Sequence, residues 1–440
     1  MSGFLQLPMS SSAPLFPIAA DICVSSRGRS CVSIESAPEY CYTRAVIRKA
    51  LILKIFDAAY MQRWNDKVRP VELVERDKQA HKMIVAFFLG KFEEQTPGFD
   101  WIEVIEGGIF ELLQRIVITD LKPPIFYKIK ANRSQYRRLN DWVYREIEPI
   151  ISPLGGEFCN RFRSYFGRTR EDINRKILSA AHLYATKWEF KIIEHANPGG
   201  YEIGTIREDL ERRHDHYRGL KGMAELAASE KYRNFIDLCG QLRFQSRWAN
   251  LHRIPKTSVI GHSLFVAILS YLFSIETGAS PRRAVNNFFT GLFHDLPEVL
   301  TRDIISPVKK SVRGLSDLIK KYEREQMTRE VYGLIPKQWH SDVRMFTERE
   351  FESVVEVKGR RRKVTSDEIS ARFNEDHFNP RDGEMVKAAD SLAAFIEAYA
   401  AIRNGSANRE FQEAKLAFKE IYCRTVIAGI NFGEIYADFD

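Results

Sequence analysis

The chain has 440 residues, 44% hydrophobic and 28% charged, the balance of a globular protein too long for one ordinary helical domain. No apolar run reaches the roughly 18 residues of a membrane span, and the six scattered cysteines (Cys23, Cys31, Cys41, Cys159, Cys239, Cys423) form no C-x-x-C. That excludes a disulfide framework and a thiolate zinc site, and reads as a set of cytoplasmic thiols. The net charge of +8 suits anionic ligands such as nucleotides, but the basic residues are spread out, which argues for a solvated surface and against nucleic acid.

Residues 1–44 are rich in Ser, Pro and small side chains and lack a basic residue before Arg27, so they do not open like a secretory signal. They are expected to be a disordered or weakly ordered leader, or an over-extended start of the reading frame. From Ala45 apolar residues recur at intervals of three and four, which predicts helices. This first helical run ends at Arg63-Trp64. An apolar helix follows over residues 80–90, with His81 at its start. The run F-E-L-L-Q-R-I-V-I-T-D spans 110–120, before Pro123-Pro124, and His182 lies later in an Ala-rich helix. Gly199-Gly200 and the charged stretch 207–218 mark a turn and a polar helix, which puts a domain boundary near residue 225.

Beyond the boundary, His262 sits alone on the apolar run S-V-I-G-H-S-L-F-V-A-I-L-S-Y-L-F. A lone histidine there is more often a satisfied core residue than a ligand. Residues 293–303 read F-H-D-L-P-E-V-L-T-R-D. The adjacent side chains of His294 and Asp295 can bind one divalent cation, imidazole nitrogen beside carboxylate oxygen. If the stretch begins in a helix, Glu298 falls on the same face, in reach of whatever the pair holds, as a proton-handling group. Asp303 closes the run at the mouth of the site. Downstream, Asp390 lies inside the Ala-rich helix M-V-K-A-A-D-S-L-A-A-F-I-E-A-Y, where a buried carboxylate needs a cation or donors. His262, His294, Asp295 and Asp390 thus make a four-ligand metal site. Between Asp303 and Asp390, residues 352–365 hold two β-branched runs around Lys358-Gly359, which predicts a β-hairpin. It carries the densest basic run, Arg360, Arg361, Arg362 and Lys363. Its default reading is a solvated tip, and it is a candidate cover for the pocket. After Asp390 the chain is expected to stay helical to about residue 427.

The halves read as an internal repeat. Arg63-Trp64 aligns with Arg247-Trp248, His81 with His262, residues 110–120 with 293–303 without a gap, and Ala180-Ala181-His182 with Ala388-Ala389-Asp390. The first copy has Glu111 and Leu112 where the second has His294 and Asp295, and Arg115 in place of Glu298. Leucine cannot ligate, and arginine sets a fixed positive charge where a cation would sit. Despite His81, Glu111 and His182, the first copy is expected to be a metal-free structural one.

The order H, H-D, D resembles the HD-domain phosphohydrolases. The pair Arg247-Trp248, the run 293–303, Pro307-Val308-Lys309 and Lys387-Ala388-Ala389-Asp390 resemble one branch, the YfbR-like 5'-deoxynucleotidases. The resemblance implies an all-α fold of two tandem HD-type helical bundles, a degenerate one over 45–225 and a catalytic one over 226–440, the latter carrying the hairpin. It implies hydrolysis of (deoxy)nucleoside 5'-monophosphates with a divalent ion (Mn, Co, Mg or Ni), and substrate recognition by Arg247, Trp248 and Asp303. It also implies pairing of the two copies as an internal pseudo-dimer. Pro297 and Arg302 depart from the family run, and Arg302 adds a cation near Asp303. The alternatives are an HD-type nucleoside triphosphate hydrolase or phosphodiesterase, and a nucleotide-binding regulator with a vestigial enzyme fold.

Overall fold

A computed structural model describes residues 47–168, 171–304 and 312–440. The leader and Pro307-Val308-Lys309 lie outside the described residues. Among the described residues the chain is mostly helical, with two small antiparallel strand pairs, as the all-α reading expects.

In each half a long apolar helix runs through the core: Glu75–Glu93 in the first and Val259–Glu276 in the second. The second is long and apolar enough to cross a membrane by length and composition, with mean hydropathy 1.7 over 18 residues. This corrects the expectation that no run reaches that length. The serines and the histidine break the run without lowering its mean below that of a span. The helix is 89% buried inside the molecule, where its apolar atoms leave water by packing on the neighbouring helices. Ser258 caps it by accepting the Gly261 N–H, and Ser280 and Asp382 cap the helices Pro281–Phe293 and Gly383–Arg403 in the same way.

One apolar core takes residues from both halves. Phe87 of the first half meets the Phe289 and Phe293 rings of the second at 4.9 and 5.0 Å. Around residue 225 the helices Lys221–Ala228 and Glu230–Gln241 pack back on the first half. The Lys221 N–H donates to Glu93 Oε1 at 2.7 Å, and Tyr232 lies 5.4 Å from Phe88.

The halves also repeat local contacts. Arg63 N–H donates to Leu73 O at 2.7 Å, and Arg247 N–H to Thr257 O at 2.8 Å. Trp64 and Trp248 both have positive φ, 54° and 56°, and each indole Nε1–H donates at 3.0 Å to a buried glutamate, Glu189 or Glu397. Asn174 clamps the backbone of Gly98 and Asp100 as Asn374 clamps that of Gly278 and Ser280. Since the two core helices start after matching turns, the fourth residue of each corresponds. In that register His262 falls opposite Lys78, not His81.

The hairpin forms where the sequence puts it: β1, Val354–Val357, pairs with β2, Arg360–Lys363. Lys358 and Gly359 turn with φ of 51° and 71°, the left-handed pair that a two-residue hairpin loop demands. The helix expected to reach residue 427 ends at Tyr422, and a second short strand pair follows, Val426–Ile427 with Ile430–Asn431. Its turn, Ala428-Gly429, holds positive φ at both positions, which helix cannot accommodate.

Candidate metal centre and cleft

His262 is fully buried on its helix, with Nε2 3.0 Å from Oδ1 of Asp390 on the helix Gly383–Arg403. His294 follows the last turn of the helix Pro281–Phe293. Its Nδ1 donates to Gly291 O at 2.8 Å, and its Nε2 faces Asp390, 3.8 Å away. Asp295 begins the turn beyond, and its Oδ2 is 3.2 Å from His294 Nε2. Among the described residues, the ligand atoms of His262, His294 and Asp390 lie within 4.8 Å of one another. Lys387 Nζ holds the other Asp390 oxygen at 2.8 Å.

These residues fit a divalent ion. His294 Nε2 and Asp295 Oδ2 are buried 3.2 Å apart and have no hydrogen-bond partner outside this pair. Two imidazole nitrogens with carboxylate oxygens suit a first-row divalent cation. Charge is already concentrated there. Against the effect of burial, the carboxylates of Asp295 and Asp390 push His294 up to about 9. Burial also opposes ionisation of Asp390, but Lys387, His262 and His294 hold it well below the usual carboxylate range.

A second layer stands behind. Glu397, two helical turns after Asp390, is fully buried and collects the Trp248 Nε1–H at 3.0 Å and the Thr257 hydroxyl at 2.8 Å. Its Oε1 is 3.5 Å from His262 Nδ1. It therefore orients the imidazole so that Nε2 faces Asp390. The sequence analysis missed Glu397, although an acid two turns after Asp390 on the same apolar face was there to be read. Arg247 sits among three carboxylates: Nη1 is 3.7 Å from Asp295 and 3.8 Å from Asp303, and Nε is 3.7 Å from Glu397. Its guanidinium is thus placed by the charge of acids from three parts of the chain.

The centre opens into a cleft of about 1260 Å³. Arg247, Trp248, His294, Asp295, Glu298, Asp303 and Asp390 all line it, so seven of the eight residues singled out in the sequence share one wall, with His262 directly behind Asp390. The hairpin strands do not line the cleft; residues 347–351, just before them, do. The expected cover is therefore displaced by one segment, because β1 and β2 pack instead on Ile369, Phe373 and Phe378. Arg302 is exposed and does not line the cleft, where Lys320, Arg324, Arg349 and Lys387 do.

In the first half two buried lysines face the residues His182 and Glu111. Lys78 Nζ contacts His182 Nδ1, and Lys82 Nζ pairs with Glu111. Arg115 lies 3.6 Å from Glu75, which also binds Arg63 at 2.7 Å. Burial, then Lys78, keeps His182 well below its usual range. His81 points elsewhere, to Ile236 O at 3.1 Å and the edge of Trp188. The positive charge expected from Arg115 is there, 3.6 Å from Glu75.

Similarity to known proteins coincides with the second half. Residues 239–419 match a family model described as HD domain. A 5'-deoxynucleotidase of Pasteurella multocida is 22% identical over 196 residues, 42% of this chain and 82% of that protein. One of Vibrio atlanticus is 22% identical over 193 residues, 43% of this chain and 84% of its own. One of Photobacterium profundum is 24% identical over 189 residues, covering 41% and 80%. His262, His294, Asp295, Glu298 and Asp390 all fall within the stretch that the HD-domain model matches.

Proposed function

We propose that residues 226–440 are a metal-dependent phosphohydrolase that removes phosphate from (deoxy)nucleoside 5'-monophosphates. The observation that carries this reading is the convergence of His262, His294 and Asp390, with the orphaned Asp295 Oδ2 beside them, at the wall of a large cleft. The names of the similar proteins support the substrate class.

His262, His294, Asp295 and Asp390 would hold a divalent ion (Mn, Co, Mg or Ni), which when bound supplies a water of lowered pKa and charge against the phosphoryl oxygens. Glu298 takes the proton of the attacking water. The water oxygen bonds to phosphorus, the bond from phosphorus to the 5' oxygen breaks, and the nucleoside leaves with a proton as its 5' hydroxyl. Arg247 ties Asp295 to Asp303 and offers its remaining N–H groups to phosphate oxygens. Trp248 walls the sugar or base, and Asp303 accepts from a sugar hydroxyl.

The recurring contacts support a second part of the reading. Residues 45–225 are a degenerate copy of the same bundle, joined to the catalytic one as an internal pseudo-dimer. The cleft also favours an alternative substrate. Its volume exceeds the range of ordinary small-molecule pockets, and Lys320, Arg324, Arg349 and Lys387 line it, which suits more than one phosphate or a diester.

A phosphate-release screen of the full chain over nucleotides, crossed with Mn, Co, Mg and Ni, tests these readings. Release from deoxynucleoside 5'-monophosphates is expected. Turnover confined to triphosphates or diesters would favour the alternative, and nucleotide binding without turnover in any metal would favour a regulator.

A further inference from the structure

The helix that carries His262 is not anchored by its own half alone. Its cap, Ser258, accepts the Gly261 N–H at 3.0 Å and donates its hydroxyl to Oδ1 of Asp77 at 2.7 Å. Asp77 belongs to the first-half helix Glu75–Glu93 and is buried. The approach is so close that a Cβ on Gly261 would collide with that Asp77 oxygen. His262 is the next residue. One residue before Ser258, Thr257 donates to Glu397, which faces His262 Nδ1. Arg243 binds back across the same contact, to Glu189 Oε1 at 2.9 Å and to Asp77 O at 3.4 Å.

We propose that Asp77 is a positioning residue for the metal centre of the other half: through Ser258 it fixes the first turn of the His262 helix. The proposal rests on the metal reading given above. It gives the first half a part in the site although its own His182 and Glu111 face Lys78 and Lys82. A hydroxyl that both accepts from the helix and donates to a buried carboxylate has one rotamer. With that rotamer fixed, the first turn, and with it the imidazole, has one orientation. Outer-shell partners of this kind typically change metal affinity by about 10- to 100-fold when removed.

The test is Co²⁺ binding to the full chain, read by chelator competition and by the visible d–d absorption of the bound ion, with circular dichroism as the check on folding. Asp77→Ala and Ser258→Ala should each weaken Co²⁺ binding by about 10-fold or more. The double variant should lose no more than either single one, since both break one link. Asp77→Asn keeps an acceptor oxygen and should restore both affinity and spectrum. If Asp77→Ala does not fold, Ser258→Ala decides, because it leaves the first half untouched. Wild-type affinity and spectrum in Ser258→Ala, or in a folded Asp77→Ala, would overturn the proposal. A wild-type chain that binds no Co²⁺ would instead overturn the metal reading itself, and this proposal with it.

Discussion

Lys78 contacts His182 in the first half, as His262 contacts Asp390 in the second. Lys78 and His262 are each the fourth residue of a core helix, Glu75–Glu93 and Val259–Glu276.

One metal ion per chain is therefore expected, bound in the second half. Asp295→Ala should abolish both metal content and turnover, whereas His81→Ala, whose ring faces Ile236 O, should leave both nearly intact. Metal analysis after dialysis checks this, and equal losses from the two changes would contradict it.

Glu298 should separate binding from chemistry. Glu298→Ala is expected to keep the metal and to lose roughly 10²–10⁴-fold in turnover, the usual contribution of a positioned proton acceptor. Wild-type turnover in that variant would reduce Glu298 to a structural residue.

Metal affinity should rise with pH. In the metal-free protein His294 is held up to about 9, so it carries a proton at neutral pH that the ion must displace. The apparent affinity should climb by about tenfold per pH unit and level off above about pH 9. The sign for stability is the reverse. A raised histidine stabilises the metal-free fold fully below its ordinary 6.5, and this contribution is lost as pH rises through about 9. Chelator competition across a pH series measures the first effect; an affinity that is flat between pH 7 and 9 would mean that His294 is already neutral.

Glu397 should matter to the fold as much as to the site. Glu397→Ala would leave buried Arg253 without this counter-charge and Arg247 with only Asp295 and Asp303, and breaking a buried pair costs about 3–5 kcal/mol. Glu397→Gln keeps an acceptor for Trp248 and Thr257 and should cost less. Urea unfolding of the two variants gives the comparison, and equal stabilities would show that the charge is irrelevant.

Residues 226–440 expressed alone should be poorly soluble or should self-associate. Phe289 and Phe293 would lose Phe87, and Phe265 would lose Phe56. Size-exclusion chromatography checks this; a fully active monomeric fragment would contradict it.

The helical architecture, the hairpin with its Lys358-Gly359 turn and the approach of His262, His294 and Asp390 to one another were legible in the sequence. Each rests on local periodicity or on a residue type that is costly where it stands. The register of the first half was not. Matching His81 to His262 paired like with like, but the backbone sets register by where the helix begins, and that turn gives Lys78. The surroundings of Arg247 were hidden for another reason. Asp295, Asp303 and Glu397 come from distant parts of the chain, and only the packed helices bring them to one guanidinium. The shift of the hairpin away from the cleft likewise depends on tertiary packing, on Ile369 and its neighbours.

Lys78 and Lys82 are attached to the backbone, so no chelator can strip them and no shortage of trace elements can leave their places vacant. The first half therefore needs no ion to fill these places, and the core that it shares with the second half closes without one. Starved of metal, the protein should wait as an assembled, inactive reserve that recovers on resupply, without passing through an unfolded form that proteases would clear.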